Sequence, residues 1–447
     1  MHFRLLIILL LVNLFHAQSL YKSSVGIGYD SYSAKSISLG STSSTTDRSA
    51  FCISINPSNM SLDTKGGLSI ISSYQGKYNT ERRSLVVKDF FGDYLAEADY
   101  VKNSSIFNSL MIGIKYNLKT KFINLSTGLS AVPFNIFNYN YEEEVRGQLE
   151  SEDGSIFSRD PLLGYHVLDS KGTQNLYSIG SSLKIKLMKN VVTSIGYGYN
   201  ILNEATISEK VYVDTLVSED NIELALIDPY DVDYSLRDTF FPSYGFNLRL
   251  KRTLLNFSFQ DGVVIERLIS DDDYSDLISY YSNLTSLYGD NWLATYYFSN
   301  YFALKIYNEI HKPKKYNISL AILDKDKLGF NFVINYEKNE YDKDYPLSTY
   351  ERYSIAIEHF GFNELPLRFG IQYSQSPFKP YITSITSFSI GSGFQPHKNL
   401  ILDYAVNFKH TSYHFPDLFP VENEYRPDLD IVNDTETNFI ITMNYNF

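Results

Sequence analysis

Residues 438–447 read NFIITMNYNF and end the chain on an aromatic side chain. Every second residue of this stretch is apolar, namely Phe439, Ile441, Met443, Tyr445 and Phe447. A period of two gives a β-strand with one apolar and one polar face. A closed barrel in lipid needs such strands, because apolar side chains face hydrocarbon and polar ones face the lumen. The stretch therefore predicts a transmembrane strand, although a water-soluble sheet with its apolar face turned inward alternates in the same way.

The same alternation recurs along the chain. In the clearest pair, residues 177–187 and 191–201 flank a tight turn at Lys189 and Asn190, which is typical of a β-hairpin. Counting clear segments gives roughly 14 strands, and single-chain bacterial barrels have an even number. Residues 292–308 either add two short strands, for about 16 in all, or form an aromatic cap in an outer loop. The predicted fold is all-β: an antiparallel transmembrane β-barrel, for which we favour 14 strands.

Composition supports this fold class and excludes others. The 447 residues include 38 Tyr and 30 Phe but one Trp, and aromatic girdles at two membrane interfaces use such rings. The mean hydropathy of −0.20 agrees with a barrel because alternation hides the apolar half of each strand. A net charge of −12 argues against nucleic acid as a partner. Cys52 is the only cysteine, so an intramolecular disulfide is excluded.

The chain begins with the features of a signal peptide. Arg4 precedes an apolar run over residues 5–15, and Ala17 is a small residue suited to cleavage before Gln18. The run is too short to span a bilayer as a helix. We therefore divide the chain into a signal peptide (1–17), an N-terminal hatch or plug segment (18–62) and a barrel (63–447). The expected location is the outer membrane of a Gram-negative bacterium, with both ends of the barrel chain in the periplasm.

Connection lengths predict the orientation of the barrel. Short turns alternate with long acidic stretches at 132–175, 204–242, 267–291 and 412–435, and outer-membrane barrels place short turns in the periplasm and long loops outside. Two acidic runs lie in these loops, at 142–144 and 271–273. Carboxylates suit calcium, but the spacing matches no EF-hand, so we favour solvated loops.

Residues 18–62 differ from the strands that follow. Residues 36–46 are small and rich in hydroxyl groups, and Pro57 blocks continuation of a β-ladder. One interpretation is a loose arm in the periplasm. The other is a plug folded into the lumen, where small polar side chains pack against a polar wall.

The order of short motifs in this segment resembles the hatch of FadL-type transporters of hydrophobic compounds. The matching stretches are Leu39-Gly40, Ser41 to Thr46, Asp47, Ala50 to Ile55 and Asn56-Pro57-Ser58. The family usually has Ala where this chain has Ser58, and a second acid where it has Arg48. The resemblance implies a 14-stranded barrel that transports hydrophobic small molecules, such as long-chain fatty acids, past a hatch containing Gly40, Asp47, Asn56 and Pro57. Separately, the terminal aromatic strand resembles the end of bacterial outer-membrane barrels, where the last strand is the assembly signal, which implies that Tyr445 and Phe447 belong to that signal.

FadL-type transporters release substrate through an interruption of the wall, and the sequence offers candidates for one. Pro133 and Pro366 each remove a ladder donor. Several glycines lie inside predicted strands, and they mark either close packing of a plug or kinks in the wall. These glycines are Gly113, Gly128, Gly180, Gly196, Gly198, Gly370 and Gly391.

No catalytic motif is present, so we expect no enzyme activity, cofactor or metal. His410 and His414 lie four residues apart at a strand end, where a metal site is the less favoured interpretation. Predicted lumen-facing cations either line a conduit or sit at the rim and pair with wall carboxylates; they are Arg249, Lys251, Arg368 and Lys409.

Three functions remain open at this stage. A passive transporter of hydrophobic compounds is favoured over a FadL-like barrel that serves as a docking or secretion partner, and over a general porin. An outer-membrane phospholipase is the weakest candidate. The expected partners are outer-membrane lipids and lipopolysaccharide, the barrel-assembly machinery acting on the C-terminal strand, and a hydrophobic small-molecule ligand.

Overall fold

The computed structural model describes residues 20–63, 66–146, 162–215, 229–289, 291–324, 329–362, 365–382, 384–419 and 429–447. The N-terminal part contains only short helices. Three are α-helical: α1 (Leu20–Val25), α2 (Ala34–Ser38) and α3 (Ser43–Thr46). Two 3-10 helices follow, at Ala50–Ser54 and Pro57–Leu62. Pro57 occupies the first turn of the second 3-10 helix, where its missing N–H leaves no bond unmade.

Within the described residues, 14 antiparallel strands form a closed barrel. In wall order they are β1 (Gly67–Lys88), β2 (Tyr94–Lys119), β3 (Ile123–Ile136), β6 (Thr173–Met188), β7 (Val191–Leu202), β10 (Thr239–Leu250), β11 (Thr253–Gln260), β14 (Lys314–Asp324), β15 (Phe330–Glu340), β16 (Tyr350–Phe362), β17 (Leu365–Gln375), β18 (Ser384–His397), β19 (Leu400–Phe415) and β20 (Asp430–Asn446). The predicted 14-stranded barrel is therefore confirmed.

The C-terminal stretch closes the barrel as its alternation predicts. β20 pairs with β19 and with β1, in a register that runs from Ser69 opposite Asn446 to Ser84 opposite Ile431. Phe439, Ile441 and Met443 are 42%, 40% and 45% exposed, whereas Asn438 and Thr442 between them are buried. The apolar face thus points outward and the polar face into the lumen, as lipid requires.

The predicted long loops contain more regular structure than expected. A second sheet of six strands lies beyond the barrel, in the order β13-β12-β9-β8-β5-β4. Its strands are β4 (Tyr139–Arg146), β5 (Leu162–Lys171), β8 (Ala205–Thr215), β9 (Tyr230–Leu236), β12 (Val263–Ile269) and β13 (Glu309–Lys312). Three long hairpins extend past the membrane and pair with one another, because adjacent hairpins satisfy each other's edges. The part of the expected loops at 147–161, 216–228 and 420–428 lies outside the described residues.

Two helices, α4 (Asp271–Leu287) and α5 (Trp292–Ile306), stand between β12 and β13. Residues 292–306 therefore form a cap helix, and the alternative of two extra strands is wrong. Asp271, Asp272 and Asp273 make the first turn of α4, where the helix dipole favours carboxylates. No helix in the described part of the chain is long and apolar enough to cross a membrane.

The main apolar core lies at this end of the molecule, which we call the long-loop end. It is rich in aromatic rings: Tyr21 of α1 lies 5.9 Å from Tyr301 and 5.4 Å from Phe415, measured between ring centroids. The opposite end, where short turns join the barrel strands, is the short-turn end. Because α1 packs among the long-loop aromatics while β1 begins at the short-turn end, residues 20–62 run the length of the lumen.

Candidate functional site

We divide the N-terminal segment into an upper segment, residues 20–30, and a lower plug, residues 31–62. The lower plug is folded by local side-chain bonds, as expected where small hydroxyl residues compete with regular structure. Asp47 accepts hydrogen bonds from the backbone N and the Oγ of Ser49, at 2.9 and 2.7 Å. Ser49 in turn accepts from the backbone N of Phe51 and so caps the first 3-10 helix. Gly40 takes a positive φ of 66° and ends α2.

Glycines of the wall lie where the lower plug touches it. A Cβ added at Gly180 would lie 2.7 Å from Ile53 Cγ2, and one at Gly113 would lie 2.9 Å from Ala50 Cβ. Gly128, Gly198, Gly370 and Gly391 meet plug atoms in the same way. At Gly196 the clash would be with the backbone of the Pro57–Ser58 peptide. Of the two interpretations of the strand glycines, close packing of a plug is the correct one at these positions.

An asparagine cluster joins the lower plug to β10 and β11. Its members are Asn56 and Asn59 of the plug and Asn247 and Asn256 of the wall. The side-chain amides of Asn56, Asn59 and Asn256 all donate to the Ser44 carbonyl at 2.7 Å. Asn247 donates to Ser58 Oγ at 2.7 Å and to Asn59 Oδ1 at 2.9 Å. All four side chains are buried, so each bond replaces one that water would make.

The four predicted hatch residues thus lie in the lower plug, and each has a structural environment. Gly40 stacks against Gly370, Asn56 belongs to the asparagine cluster, and Pro57 lies against Gly196. Asp47 is 5% exposed. Burial raises the pKa of Asp47, although the bonds from Ser49 act in the opposite direction.

Ion pairs hold the upper segment in the middle of the lumen. Asp30 lies 2.9 Å from Arg352 and 2.5 Å from Lys409, while Lys22 lies 3.2 Å from Glu436. Glu436 also pairs with Lys77 of β1 at 2.6 Å. We call these six residues the ionic cluster. Burial alone would raise the pKa of Asp30, but Lys409 and Arg352 lower that pKa below its usual range.

Two further cations hold the C-terminal end of α1. The ammonium of Lys312, in β13, donates to the carbonyls of Val25 and Gly26 at 2.7 Å each. The guanidinium of Arg267, in β12, donates to the Ser24 carbonyl at 3.2 Å and also to the carbonyls of Leu304 and Lys305 at the end of α5. Burial, together with the charges of Lys315 and Arg267, lowers the pKa of Lys312 well below its usual range. The upper segment is therefore tied to the cap through charged hydrogen bonds.

The space left around the upper segment is small and is lined by both polar and apolar groups. One cavity of about 100 Å³ lies beside residues 26–30, and Ile27, Ile55 and Phe134 contribute its apolar part. A second, of about 70 Å³, adjoins the ionic cluster. An apolar cavity of about 150 Å³ is known to hold one benzene ring, so neither space admits a larger hydrophobic molecule in this conformation.

The wall is interrupted next to this cavity. Pairing between β2 and β3 runs from Lys119 opposite Asn124 to Ile112 opposite Ala131, and the described ladder goes no further. The next residues of β3 include Pro133, which has no N–H to donate, and the ladder between β3 and β6 shifts register just after it. Beyond Ala131 the alternation of buried and exposed residues along β3 is lost. We call this gap between β2 and β3 the wall break.

Apolar side chains line the wall break, in contrast to the polar lumen. Phe107 and Met111 of β2 and Val132 of β3 are buried there, and Phe134 packs against the same core. Tyr29 of the upper segment lies behind them: its hydroxyl donates to Ser109 Oγ at 2.8 Å, and its ring centroid is 5.9 Å from that of Phe107. Of the two candidate prolines, Pro133 lies at the break, whereas Pro366 lies at the start of β17 and accepts a bond from Ser392.

The predicted lumen cations separate into two groups. Arg368 is buried between Glu358 and Asp403, at 2.9 and 2.6 Å, and Lys409 belongs to the ionic cluster. Arg249 and Lys251 lie at the short turn that follows β10. The interpretation of rim positions and wall ion pairs therefore describes Arg249, Lys251 and Arg368, whereas Lys409 pairs most closely with Asp30 of the upper segment. Sequence reasoning missed Asp30, Glu436 and Arg352, although the alternation of β20 already placed Glu436 on the polar face.

His410 and His414 are both exposed on the outer face of β19. In the part of the chain that the structure describes, no group of three or more His, Cys, Asp and Glu side chains is arranged to hold a metal ion.

Comparison with known proteins identifies the fold. Neither a family model nor a curated protein matches the sequence. Among solved structures, a FadL homologue from Pseudomonas aeruginosa superposes with a TM-score of 0.52 at 11% identity, covering 94% of this chain and 100% of the other. The toluene transporter TodX from Pseudomonas putida gives a TM-score of 0.50 at 11% identity, covering 94% and 99%.

At this level of identity the likeness is one of fold. The chain has the FadL-type fold of an outer-membrane β-barrel, as its N-terminal motifs indicated.

Proposed function

We propose that this protein is an outer-membrane conduit for hydrophobic small molecules, which leave the lumen sideways through the wall break. The observation that carries the proposal is the apolar lining of that break, directly beside the upper segment and its cavity. An apolar solute is disfavoured in a lumen with polar walls. A lateral exit delivers the solute into the hydrocarbon of the membrane, so that it does not pass along the rest of the lumen. The fold's likeness to a toluene transporter supports the same class of cargo.

The pathway begins in the aromatic core at the long-loop end, where rings such as Tyr301 and Phe415 offer an apolar surface. Because the cavities are too small for a long-chain fatty acid, the upper segment moves before cargo passes. The lower plug stays and closes the route to the short-turn end. A general porin would need an open, water-filled lumen, and the lower plug fills this one.

A disulfide across the wall break tests the exit. Residues 111 and 132 follow directly on the last pair of the ladder, so the variant Met111→Cys/Val132→Cys, with Cys52→Ser, places a bond across the gap. Uptake of radiolabelled toluene and of oleate is measured in cells and in proteoliposomes, before and after reduction. We expect oxidation to abolish uptake and reduction to restore it. The matched control, Asn117→Cys/Ser126→Cys, bridges an intact part of the same ladder and leaves uptake unchanged.

Unchanged uptake in the oxidised Met111→Cys/Val132→Cys protein would refute lateral exit. The relative uptake of the two probes decides between monoaromatic and fatty acid-like cargo.

We also propose that the signal peptide is removed near Ala17 and that Tyr445 and Phe447 direct assembly. Their rings lie 4.8 Å apart at the short-turn end of the seam between β20 and β1. Replacing Phe447 by Ser should lower the amount of folded barrel in the outer membrane, measured by heat-modifiable migration. Tyr307→Ser, a ring lost from the long-loop end, is the control. Equal assembly of the Phe447→Ser protein would contradict the assignment.

A further inference from the structure

The first hairpin of the barrel extends beyond the rest of the wall. β1 leaves its partner β20 after Ser84, yet β1 and β2 continue to pair as far as Lys88 and Tyr94. We call residues 85–99 the arm. Every residue from Phe90 to Asp99 is exposed. The arm is therefore a two-stranded ribbon in solvent, a structure that is marginally stable by itself.

The tip of the arm is strongly apolar. Phe90 and Phe91 are 98% and 86% exposed, and Tyr94 and Leu95 are 62% and 61% exposed. These residues do not belong to the lipid-facing belt, because the outward-facing Thr80 and Arg82 separate them from it. From Tyr78, the last outward ring of β1, to Phe90 is roughly 40 Å of strand at about 3.3 Å per residue.

The arm also presents a free sheet edge. On the other side of β2, the described ladder with β3 reaches only Ile112, so residues 94–99 have β1 as their sole ladder partner in the described chain. The outward N–H and C=O groups of these residues form a template on which another strand can pair.

Charge indicates what kind of strand fits this edge. The arm contains four acids and one cation, Lys88. Asp89 folds the tip by accepting bonds from Phe91 N and Asp93 N, and Asp99 lies 3.3 Å from Arg82. Asp93 and Glu97 then leave a negative charge beside the free edge. A second copy of this acidic chain, or the anionic head groups of lipopolysaccharide, would be repelled by it.

We propose that the arm is a docking site for a partner protein, which adds a basic, apolar, extended segment to the free edge of β2. Lysine or arginine side chains of that segment meet Asp93 and Glu97, and its apolar side chains pack on Phe90, Phe91 and Leu95. This inference is independent of transport, since the arm lies outside the lumen and away from the wall break.

The test uses the full-length barrel in nanodiscs and two fluorescent peptides. One peptide alternates Lys with Val and Phe, and the other replaces each Lys by Glu; binding is followed by fluorescence anisotropy at fixed salt. We expect the basic peptide to bind and the acidic one not to. Phe90→Ser/Phe91→Ser should weaken binding about tenfold, as loss of buried aromatic anchors does.

Charge reversal makes the test specific. Asp93→Lys/Glu97→Lys should weaken the basic peptide at least about tenfold and create binding of the acidic one. Replacing residues 87–96 by Asn-Gly removes the arm and should abolish binding while toluene uptake stays unchanged. Heat-modifiable migration shows that each variant is folded.

Three results would overturn the proposal. If the protein without the arm bound the basic peptide equally well, the binding would be due to the net charge of the barrel and not to the arm. If light scattering showed dimers that form only when the arm is present, the molecule bound to the arm would be a second copy of this chain. Arm-dependent flotation with vesicles of lipopolysaccharide and phospholipid, without peptide binding, would make it a membrane contact.

Discussion

The lower plug and the upper segment fill the same lumen but are held there by different forces. The lower plug is locked by shape, since wall glycines leave no room between its backbone and theirs, and by the buried asparagine cluster. The upper segment is held by ion pairs, by cations on helix-end carbonyls and by the packing of Tyr21 in the aromatic core, without interlocking backbones. Contacts made by single side chains can be released one side chain at a time, whereas an interlocked backbone has to move as a whole. We therefore expect the upper segment to move when cargo passes, and the lower plug to stay in place and keep the lumen closed.

The largest effect is expected from a change that disrupts the close packing between the lower plug and the wall glycines. Gly196→Val places side-chain atoms against the Pro57–Ser58 peptide, and overpacking of this kind costs about 3 kcal/mol. The plug should leave the wall, so steady single-channel conductance should appear in planar bilayers where the wild type stays closed.

Gly76→Val is the matched control, because its Cβ would meet only Asn108 Oδ1 at 3.4 Å on the outer face. A closed Gly196→Val channel would show that the plug is not locked by shape.

Removing an amide from the asparagine cluster should have the next largest effect. Asn247→Leu removes the donor to Ser58 Oγ and the shortest of the donors to Asn59 Oδ1, and the loss of these buried bonds costs about 2 kcal/mol in sum. Limited proteolysis of the folded barrel should then cut the lower plug, with little steady conductance. Asn407→Leu, whose amide bonds only to wall groups of β18, should leave the plug protected. Cleavage in both variants would mean that the plug is not held by this cluster.

For the upper segment, Asp30→Asn removes the shared partner of Arg352 and Lys409. Arg352 and Lys409 are then left with the more distant carboxylates of Glu337 and Glu436, at 3.6 and 3.5 Å. Residues 20–30 should therefore loosen by about 2 kcal/mol, or roughly 30-fold faster hydrogen exchange. The lower plug should keep its protection. Asp99→Asn, in an exposed pair, is the control. If both parts of the segment loosened together, the division between them would be wrong.

The ion pairs of Asp30 also predict how hydrogen exchange in the upper segment depends on pH. Because the pKa of Asp30 is lowered in the folded protein, its contribution is complete above the unfolded value near 3.9 and declines only as pH falls below it. Exchange of the upper segment, corrected for the intrinsic rate, should be equal at pH 7 and pH 5 and faster at pH 3. If exchange of residues 20–30 were already faster at pH 5, a titrating group other than Asp30 would be holding the upper segment.

The smallest effect is expected from Lys312→Met. This change removes two donors to the end of α1 but keeps most of the buried alkyl chain, so we expect about 1.5 kcal/mol, or roughly tenfold faster exchange in residues 20–26. Lys314→Met, two residues along and exposed, is the control. An unchanged rate would leave Arg267 as the main anchor of α1.

The barrel could be predicted from sequence because its strands repeat one local rule, and β20 shows that rule in ten residues. The six-stranded outer sheet could not, because its pairing depends on contacts between distant hairpins rather than on alternation. Residues 292–306 show the same limit: a run of aromatics has no decisive period, and packing against Tyr281 and Phe415 makes it a helix.

The site was predictable in part. Strand glycines and the Asn-Pro motif indicated a plug, since glycine in a wall strand signals close approach. Asp30 carried no such signal: it lies in an irregular stretch, and its partners are more than 300 residues away in sequence. The wall break was visible as Pro133, but only the end of the ladder at Ile112 distinguishes it from Pro366.

The N-terminal segment contacts the strand that closes the barrel, beside the seam between β20 and β1. Lys22 pairs with Glu436 of β20, Glu436 with Lys77 of β1, and the backbone N of Ala34 donates to Thr442 Oγ1 of β20. A segment that threads the lumen from end to end cannot enter easily once β1 and β20 are joined. The order of biogenesis follows: the last strand closes around a segment already in place, which then serves as an internal template for its own enclosure.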